Sequence, residues 1–525
     1  MSTHFDDEPR TSLRRTASPP DSPCNPRRHP HVRGHAGTAA VTAAGLAAAW
    51  GVAAGIWTPR GPLTSGAAIW SIILSLAVGL GAGIVLRSRW AMLLAPAAFA
   101  AALELTRLRV DGPMVDGIHA SFYGTIALIT GRGFHALVSL LPMALGAAVG
   151  AGLTRAWTAV PPDTSGRSAR AVRRAGAAFV ALALGVLMVG LARPATTAPI
   201  TGPDGKPISG SVAELTTVDV DGHELGLMIR GASTENPVLL FLAGGPGGSE
   251  LGAMRRHLSG LEEHFTVATW DQRGAGTSYD ELDPTDSVTL PGYISDTIAV
   301  TNYLRARFDT EDIYLLGQSW GTTLGVLAVQ ERPELYRAFI GAGQMVSQRE
   351  TDRIFYDDTL AWATRTGAGD LARQLEQAGP PPYDSMFPYE TALSHEADVY
   401  PYDHSGNSEG AGQMSENLLV QEYALIDQVH VLGAFMDTFA ALYPQLQDID
   451  FRTTATSLRI PMYFVQGAHE ARGRAEPFRE WYSMLDAPTK DVIILDHSGH
   501  RPLWEQPDEF VDYMVNTVLA QNGRS

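Results

Sequence analysis

Cysteine is almost absent from this chain, which has one, Cys24, among its 525 residues. A single thiol cannot form an internal disulfide or a cluster of thiolate metal ligands. Cys24 lies in a tail rich in proline and arginine, where a catalytic nucleophile is not expected, and the redox compartment cannot be read from it. Any covalent chemistry therefore has to come from other side chains.

Basic charge is also scarce. The net charge is −17, and no segment offers the basic face that phosphate backbones require, so we expect no nucleic-acid partner. A glycine-rich stretch at residues 244–248 lacks the Gly-Lys-Ser/Thr that would follow in a phosphate-binding loop. We predict neither a cofactor nor a metal site.

The first third of the chain has the composition of a membrane region. Residues 1–36 lack apolar periodicity and are predicted to be a disordered tail. Residues 37–193 contain five nearly uncharged apolar segments of about 20 residues, the length of helix that crosses a bilayer. These predicted spans are residues 37–57, 66–86, 90–106, 134–154 and 175–192. A further stretch, residues 118–130, could be a half-span that changes the count.

Arginine is distributed unevenly among the loops between these spans. The tail and the loops after the second and fourth spans carry more arginine than the segments after the other spans. Arg107 and Arg109, which follow the third span, weaken this contrast. The more basic side faces the cytoplasm, so we predict a multi-pass cell-membrane protein with a cytoplasmic tail and everything after Arg193 outside. Glu104 and His135 fall at membrane depth, where ionisable groups suggest function. The spacing of Glu104 from Arg107 favours a local ion pair instead.

The pattern changes after a predicted linker at residues 194–210. Strand-like runs then alternate with helical stretches, and the central runs are continuously apolar, as in a sheet covered on both faces. The runs are residues 216–220, 224–230, 237–243, 266–270, 312–316, 339–341, 461–465 and 491–495. The alternation stops in an acidic, aromatic and helix-like segment. We therefore predict an α/β fold in two parts, residues 211–343 and 460–525, with a helical cap at residues 344–459.

The motif Gly317-Gln318-Ser319-Trp320-Gly321 follows one of the apolar runs and precedes a helix-like stretch. Glycines on both sides of Ser319 allow the backbone to turn sharply from strand to helix. Such a turn holds the serine hydroxyl above the sheet at the positive end of a helix. Ser319 is therefore the candidate nucleophile.

A serine nucleophile needs a base, and the base needs a carboxylate that orients it. His500 lies in a tight loop after the last strand and is the candidate base, with His497 as the alternative. Glu470 is the first acidic residue after the preceding strand and is the candidate acid. Glu476 is its alternative, because either glutamate could pair with a nearby arginine instead.

The negative charge on the substrate oxygen requires backbone N–H donors that are already in place. One candidate is the amide of Trp320, directly after the nucleophile. The other is in the glycine-rich stretch after the strand at residues 237–243, where glycine lets the chain approach a ligand closely. The alternative for this stretch is a simple turn, which rarely needs four glycines.

Four motifs together resemble the α/β-hydrolase fold in its proline iminopeptidase branch. They are Ala243-Gly244-Gly245-Pro246-Gly247-Gly248, Trp270-Asp271-Gln272-Arg273-Gly274-Ala275-Gly276-Thr277-Ser278, the Ser319 motif, and Ser498-Gly499-His500. The resemblance covers residues 211–521 and leaves the membrane region without a counterpart. It implies Ser319 as nucleophile, His500 as base, and Gly245 with Trp320 as oxyanion donors, with residues 271–274 as a structural loop beside the site.

The chain departs from that branch at two positions. Ala243 stands where the family usually has histidine, which affects how the oxyanion loop is anchored. Glu470 stands where it usually has aspartate, although glutamate can still orient the histidine. Members of the branch hold the substrate amine with cap carboxylates. Four candidates are present, Glu390, Glu396, Glu416 and Glu422, and none can be matched individually.

We therefore expect a membrane-anchored serine hydrolase that acts through an acyl-enzyme. The favoured substrate is a small peptide with a small or proline N-terminal residue. An ester or amide of a lipid-like molecule is the second, and a non-catalytic membrane sensor that retains the hydrolase fold is a third hypothesis. The lipid bilayer is the only other partner that the sequence predicts.

Overall fold

A computed structural model describes residues 31–58, 63–110, 116–157, 167–408 and 414–523. Residues 1–30 of the predicted tail, with Cys24, lie outside the described residues. The described N-terminal part contains six α-helices: α1 (His31–Trp57), α2 (Ser65–Leu86), α3 (Ala91–Arg107), α4 (Phe122–Leu128), α5 (Phe134–Trp157) and α6 (Arg167–Ala192). We call this part the helical region.

The predicted half-span at residues 118–130 is not a separate segment. A π-helical turn, Ile129–Gly133, joins α4 to α5 without a break, so that Phe122–Thr154 is one helix of 33 residues. At 1.5 Å per residue it is about 50 Å long, whereas the hydrocarbon core of a bilayer is about 30 Å thick. The helix is thus longer than the hydrocarbon core of a bilayer is thick.

Five described helices are long and apolar enough to cross a membrane, by length and composition alone. They are Gly37–Trp57, Ser65–Leu86, Phe122–Thr154, Ser168–Ala192 and Leu425–Leu446. The last of them belongs to the cap. The third predicted span forms α3, which at 17 residues is the shortest of the predicted spans.

The helices of this region pack closely through small residues. A Cβ atom on Gly146 of α5 would lie 2.1 Å from the carbonyl oxygen of Leu76 in α2. Small residues at such crossings let helix backbones approach each other, which is how helices associate where water supplies no driving force. Glu104 forms the expected ion pair at the end of α3, 4.0 Å from Arg107. It also lies 2.7 Å from Arg132.

One end of the helical region contacts the cap. Ala67 near the start of α2, Phe134 at the start of α5 and Leu191 at the end of α6 pack in one cluster with Ile426. The loop between α2 and α3, which carries Arg87 and Arg89, lies at the other ends of those helices. This up-and-down arrangement agrees with the predicted orientation, which stays a prediction.

Eight strands of the described chain form a single sheet, and each of the eight predicted runs coincides with one of them. The strands are β1 (Val212–Val220), β2 (His223–Gly231), β3 (Val238–Leu242), β4 (Thr266–Trp270), β5 (Ile313–Gln318), β6 (Tyr336–Ala342), β7 (Met462–Gly467) and β8 (Lys490–Leu495). Their order is β1-β2-β4-β3-β5-β6-β7-β8. Of these neighbours, only β1–β2 and β2–β4 pair antiparallel.

Helices cover both faces of this sheet, and two apolar clusters lie between the sheet and the helices. The core helices are α7 (Leu251–His257), α8 (Leu290–Arg307), α9 (Trp320–Glu331), α16 (Arg472–Met484), α17 (Pro502–Glu505), α18 (Pro507–Tyr513) and α19 (Ala520–Asn522). The cap lies between β6 and β7 and contains α10 (Gln348–Thr366), α11 (Gly369–Ala378), α12 (Phe387–Leu393), α13 (Glu396–Val399), α14 (Leu425–Leu442) and α15 (Phe451–Thr454). Because most strands are parallel, their carboxyl ends meet at one edge of the sheet.

Candidate active site

Ser319 lies in the turn between β5 and α9 with φ 53° and ψ −119°. Few residues other than glycine adopt this conformation, and it is the strained turn that presents a nucleophile above a sheet. Neither of the flanking glycines could carry a Cβ atom without a steric clash. A Cβ atom on Gly317 would lie 2.4 Å from the carbonyl oxygen of Gly321, and one on Gly321 would lie 2.1 Å from that of Leu242.

The structure brings Ser319, His500 and Glu470 into one chain of hydrogen bonds. His500 Nε2 lies 2.8 Å from Ser319 Oγ, and His500 Nδ1 lies 2.7 Å from Glu470 Oε2. The three residues follow β5, β8 and β7, whose carboxyl ends lie along the same edge of the sheet. This geometry allows the imidazole to take the serine proton while the carboxylate stabilises the imidazolium.

The two alternative residues, His497 and Glu476, take no part in these hydrogen bonds. The His497 side chain is 49% exposed, and its nearest acidic partner is Asp496 at 3.7 Å. Glu476 pairs with Arg472 at 3.3 Å on the surface.

Glu470 is held in its charged form. Burial by itself would raise its pKa, but Arg474 and His500 outweigh that effect and lower the pKa of Glu470 to about 2. Arg474 Nε donates to Glu470 Oε1 at 2.7 Å and its guanidinium also pairs with Glu396. The sequence suggested an arginine partner for this glutamate but did not indicate which one, because position 474 depends on the turn that starts α16.

The two predicted oxyanion donors belong to two elements, the loop after β3 and the start of α9. Gly245 has φ 122° and lines the same cavity as Ser319 and His500. Trp320 is the first residue of α9, where a backbone amide has no partner within the helix. The role of these two amides as oxyanion donors stays a prediction.

Gln272 anchors the loop in which histidine is replaced by Ala243. Gln272 Nε2 donates to the carbonyl oxygen of Ala243 at 3.2 Å, and Gln272 Oε1 accepts from Trp320 Nε1 at 2.9 Å. One side chain thus connects the two elements that carry the predicted oxyanion donors. The sequence placed residues 271–274 beside the site but did not reveal this bridge.

Two further residues position the histidine loop and were missed by sequence reasoning. Glu505 Oε2 accepts from the backbone amide of Gly499 at 2.6 Å. Gln318 Nε2 donates to the carbonyl oxygen of His500 at 3.3 Å. Gln318 is the variable residue of its motif, and Glu505 follows His500 in a short helix, so neither position carried a local signal.

Of the four cap glutamates, only Glu396 lines the catalytic cavity, and it is paired with Arg474. Glu416 pairs with Arg256 and His257, whereas Glu422 pairs with Arg255. Glu390 accepts a hydrogen bond from the amide of Tyr123 at 3.2 Å. Arginines that are distant in sequence neutralise three of these carboxylates, which is why the sequence could not sort them.

Two other carboxyl groups line the cavity instead. Burial raises the pKa of Glu250 to about 7, and the amide of Gly244 donates to its carboxylate. Its Oε2 atom has no hydrogen-bond partner among the described residues. Burial also raises the pKa of Asp352 to about 6, where Tyr443 and Gln447 donate to it.

The cavity around Ser319 has a volume of about 450 Å³ and walls from three parts of the chain. The α/β core supplies Ser319 and His500, and the cap supplies Phe435 and Phe439. Tyr123 comes from the helical region. Among the described residues, no three His, Cys, Asp or Glu side chains are grouped to hold a metal ion.

Comparisons with known proteins agree with this architecture. A family model described as the alpha/beta hydrolase fold matches residues 237–507. The chain is 30% identical over 309 residues to a probable aminopeptidase of Bacillus subtilis (strain 168), covering 58% of this chain and 96% of that protein. It is also 30% identical over 138 residues to the proline iminopeptidase of Xylella fastidiosa (strain Temecula1), covering 26% of this chain and 42% of that one.

A similar solved structure is a proline iminopeptidase-related protein from Thermus thermophilus. The TM-score is 0.41 at 21% sequence identity, and the match covers 59% of this chain and 98% of the other. The family model's match begins at residue 237, after the helical region.

Proposed function

This chain belongs to the α/β-hydrolase family, and we propose that it is a serine hydrolase with aminopeptidase activity that acts through an acyl-enzyme. The observation that carries the proposal is the hydrogen-bonded chain from Glu470 through His500 to Ser319, with distances of 2.7 and 2.8 Å. A sensor that had lost catalysis would not need all three groups in this hydrogen-bonded arrangement, which counts against the non-catalytic hypothesis.

The proposed reaction has two steps. His500 Nε2 takes the proton from Ser319 Oγ as that oxygen attacks the substrate carbonyl, and the amides of Gly245 and Trp320 stabilise the oxyanion. His500 then gives the proton to the leaving amine, which departs and leaves an ester on Ser319. In the second step a water loses its proton to His500 and attacks this ester, which releases the acid and restores the serine.

Aminopeptidase activity is supported by the names of the relatives and by the charge of the cavity. The relatives are called aminopeptidase and proline iminopeptidase, and the carboxyl groups of Glu250 and Asp352, neither of them paired with a described arginine, line the cavity near Ser319. A substrate with a free amino group would bring a positive charge to these acidic groups. Hydrolysis of lipid-like esters or amides is the second candidate, favoured by the contribution of Tyr123 to the cavity wall.

We also propose that the helical region anchors the enzyme in a cell membrane with the α/β part outside the cytoplasm. Four helices of this region are long and apolar enough to cross a membrane, which supports the anchoring. The proposed orientation also requires α3, with 17 residues, as a fifth span. Fusion of a reporter to the C-terminus of the full chain tests the orientation. An alkaline phosphatase fusion is expected to be active, and activity of a fusion reporter that works only in the cytoplasm would overturn the orientation.

Labelling with a fluorophosphonate probe tests the nucleophile in the purified full-length protein. The wild type should be labelled, and Ser319→Ala should not. Ser483→Ala is the matched control, since that exposed serine bonds only within its own helix and its loss should leave labelling intact. A folded Ser319→Ala protein that is labelled as strongly as the wild type would remove the nucleophile from the proposal.

A further inference from the structure

A second cavity of about 200 Å³ adjoins the catalytic one. Tyr123, Leu393, Phe435 and Phe439 line both cavities. The remaining walls of the second cavity are Met386, Tyr389, Glu390, Ser394, Leu432 and Met436. We call it the side cavity. Its surface is mostly apolar, and its walls come from the cap and, through Tyr123, from the helical region.

Glu390 is the one charged side chain among the described residues that line the side cavity. Its Oε1 atom accepts a hydrogen bond from the amide of Tyr123, whereas its buried Oε2 atom has no hydrogen-bond partner in the part of the chain that the structure describes. The other walls are mainly apolar, and Leu432, Met436 and Phe439 are nearly fully buried. Concave sites with apolar walls and few polar groups bind apolar parts of ligands. The catalytic cavity already has room for a residue as small as proline, so the side cavity provides additional binding for something longer.

The helical region forms one wall of this site. Tyr123 lies in the first turn of α4, and His119 just before α4 stacks on Phe387 of the cap with ring centroids 3.8 Å apart. The same helix continues as Phe122–Thr154, which is long and apolar enough to cross a membrane. The wall of the site and the proposed anchor are therefore a single rigid element.

We propose that the side cavity binds the acyl chain of an amphipathic ester or amide whose carbonyl is attacked by Ser319, and that Tyr123 is a specificity-determining residue. This inference rests on the proposed serine hydrolase activity, but it takes the second candidate substrate, a lipid-like ester or amide, in place of a peptide. An amphipathic molecule partitions to the bilayer surface. The acyl chain then passes into the side cavity beside Tyr123, and the scissile bond remains at the oxyanion donors.

Chain-length selectivity tests this proposal in the full-length protein in lipid nanodiscs. The substrates are p-nitrophenyl acetate, butyrate and octanoate, each below its micelle-forming concentration. Each buried methylene changes affinity by about fourfold, so burial of a few should raise kcat/KM for octanoate at least about tenfold over acetate. Leu432→Trp fills the side cavity and should remove that preference, measured as the ratio of kcat/KM for octanoate to kcat/KM for acetate.

Matched controls separate this effect from a general loss of structure. Met484→Trp enlarges a half-exposed side chain at the end of α16, away from both cavities, and should leave the selectivity unchanged. Tyr123→Ala should lower the octanoate preference, whereas Phe122→Ala, the exposed neighbour on the same turn, should not. If Leu432→Trp does not fold, Leu393→Phe narrows the boundary between the cavities from a more exposed position and takes its place.

The possible results separate the acyl-chain site from the serine hydrolase activity on which it rests. Ser319-dependent hydrolysis without chain preference, or a preference that Leu432→Trp and Tyr123→Ala both leave intact, would overturn the acyl-chain site and keep the serine hydrolase. Selective hydrolysis of short aminoacyl p-nitroanilides over every ester would also overturn it. Absence of hydrolysis together with absence of fluorophosphonate labelling would instead refute the proposed function, and the acyl-chain site with it.

Discussion

The helical region and the α/β region use apolar side chains in opposite ways. In the α/β region large side chains are inside, such as Trp270 and Trp320, which are fully buried. In the helical region alanine and glycine fill the contacts, and large side chains point outwards, such as Phe179 at 72% and Val189 at 73% exposure. Water would penalise so much exposed apolar surface. The α/β region is therefore suited to water, whereas the helical region is suited to an apolar environment.

The three candidate catalytic residues all come from the α/β region, in which large apolar side chains are buried. Ser319, His500 and Glu470 each follow a strand of a sheet that is covered on both faces, so their backbones are fixed by neighbours. Among the described residues that line the catalytic cavity, Tyr123 alone comes from the helical region. Substitutions that affect one region and spare the other test this division.

Glu470→Gln should produce the largest effect. The amide can no longer stabilise the imidazolium, and loss of the carboxylate in such a triad lowers kcat by about 10⁴-fold. Glu476→Gln is the matched control and should stay within about twofold. Steady-state kinetics of both variants measure this, and equal losses in the two would show that the acid has been misassigned. Detergent should extract the same amount of both variants from membranes as of the wild type.

The low pKa of Glu470 also predicts a pH dependence. Its folded pKa of about 2 lies below the ordinary value, so the carboxylate contributes stability above about pH 4.5 that is lost as the pH falls towards 2. Glu470 is therefore ionised throughout the range from about pH 5 to about pH 9, and no limb of the rate profile in that range should belong to it. A limb that disappears in Glu470→Gln but not in Glu476→Gln would contradict this.

Arg474→Ala should destabilise the α/β region strongly. Removing one partner of a buried ion pair leaves an uncompensated charge and costs about 3–5 kcal/mol, and here Glu470 would be left beside Glu396. Arg472→Ala removes an arginine that is 44% exposed and should cost less than about 1 kcal/mol. Thermal unfolding followed by tryptophan fluorescence measures both. Similar melting temperatures for the two variants would show that Arg474 is not essential to the site.

Glu250→Gln should stabilise the protein in a pH-dependent way. The folded pKa of Glu250 is raised from 4.5 to about 7, so wild-type stability is full below pH 4.5 and falls as the pH rises through 7, where the buried group must ionise. The variant lacks this cost and should gain on the order of 2 kcal/mol at about pH 8 and nothing at about pH 4.5. Melting temperatures across this range measure the gain. A constant difference between the two proteins would contradict the assignment.

Gly146→Ala should affect the helical region alone. Its new methyl group would meet the carbonyl oxygen of Leu76, and overpacking of this kind costs about 1–3 kcal/mol. Gly152→Ala, on the same helix with open space around it, is the matched control. Heat resistance in detergent should fall only in the first variant, and kcat should be unchanged in both. A large loss of kcat in Gly146→Ala would show that the two regions are coupled more tightly than their contacts suggest.

Local signals accounted for the parts of the fold and site that the sequence predicted. The eight strands were found because continuous apolar runs bounded by turns are typical of covered strands. Ser319 and its glycines stand within five residues of one another, and His500 follows the last strand directly. The possible half-span at residues 118–130 is continuous with the next helix, because one π-helical turn that has no sequence signature of its own joins the two.

The order and type of the elements follow from the sequence, since apolar periodicity and glycine placement act within a few residues. So do the serine, histidine and glutamate that stand at strand ends. The contact of Arg474 with Glu470, the bridge of Gln272 between Ala243 and Trp320, and the place of Tyr123 in the cavity wall required the folded structure. Those contacts join residues far apart in the chain, and their energies depend on burial and distance, which exist only once the chain has folded.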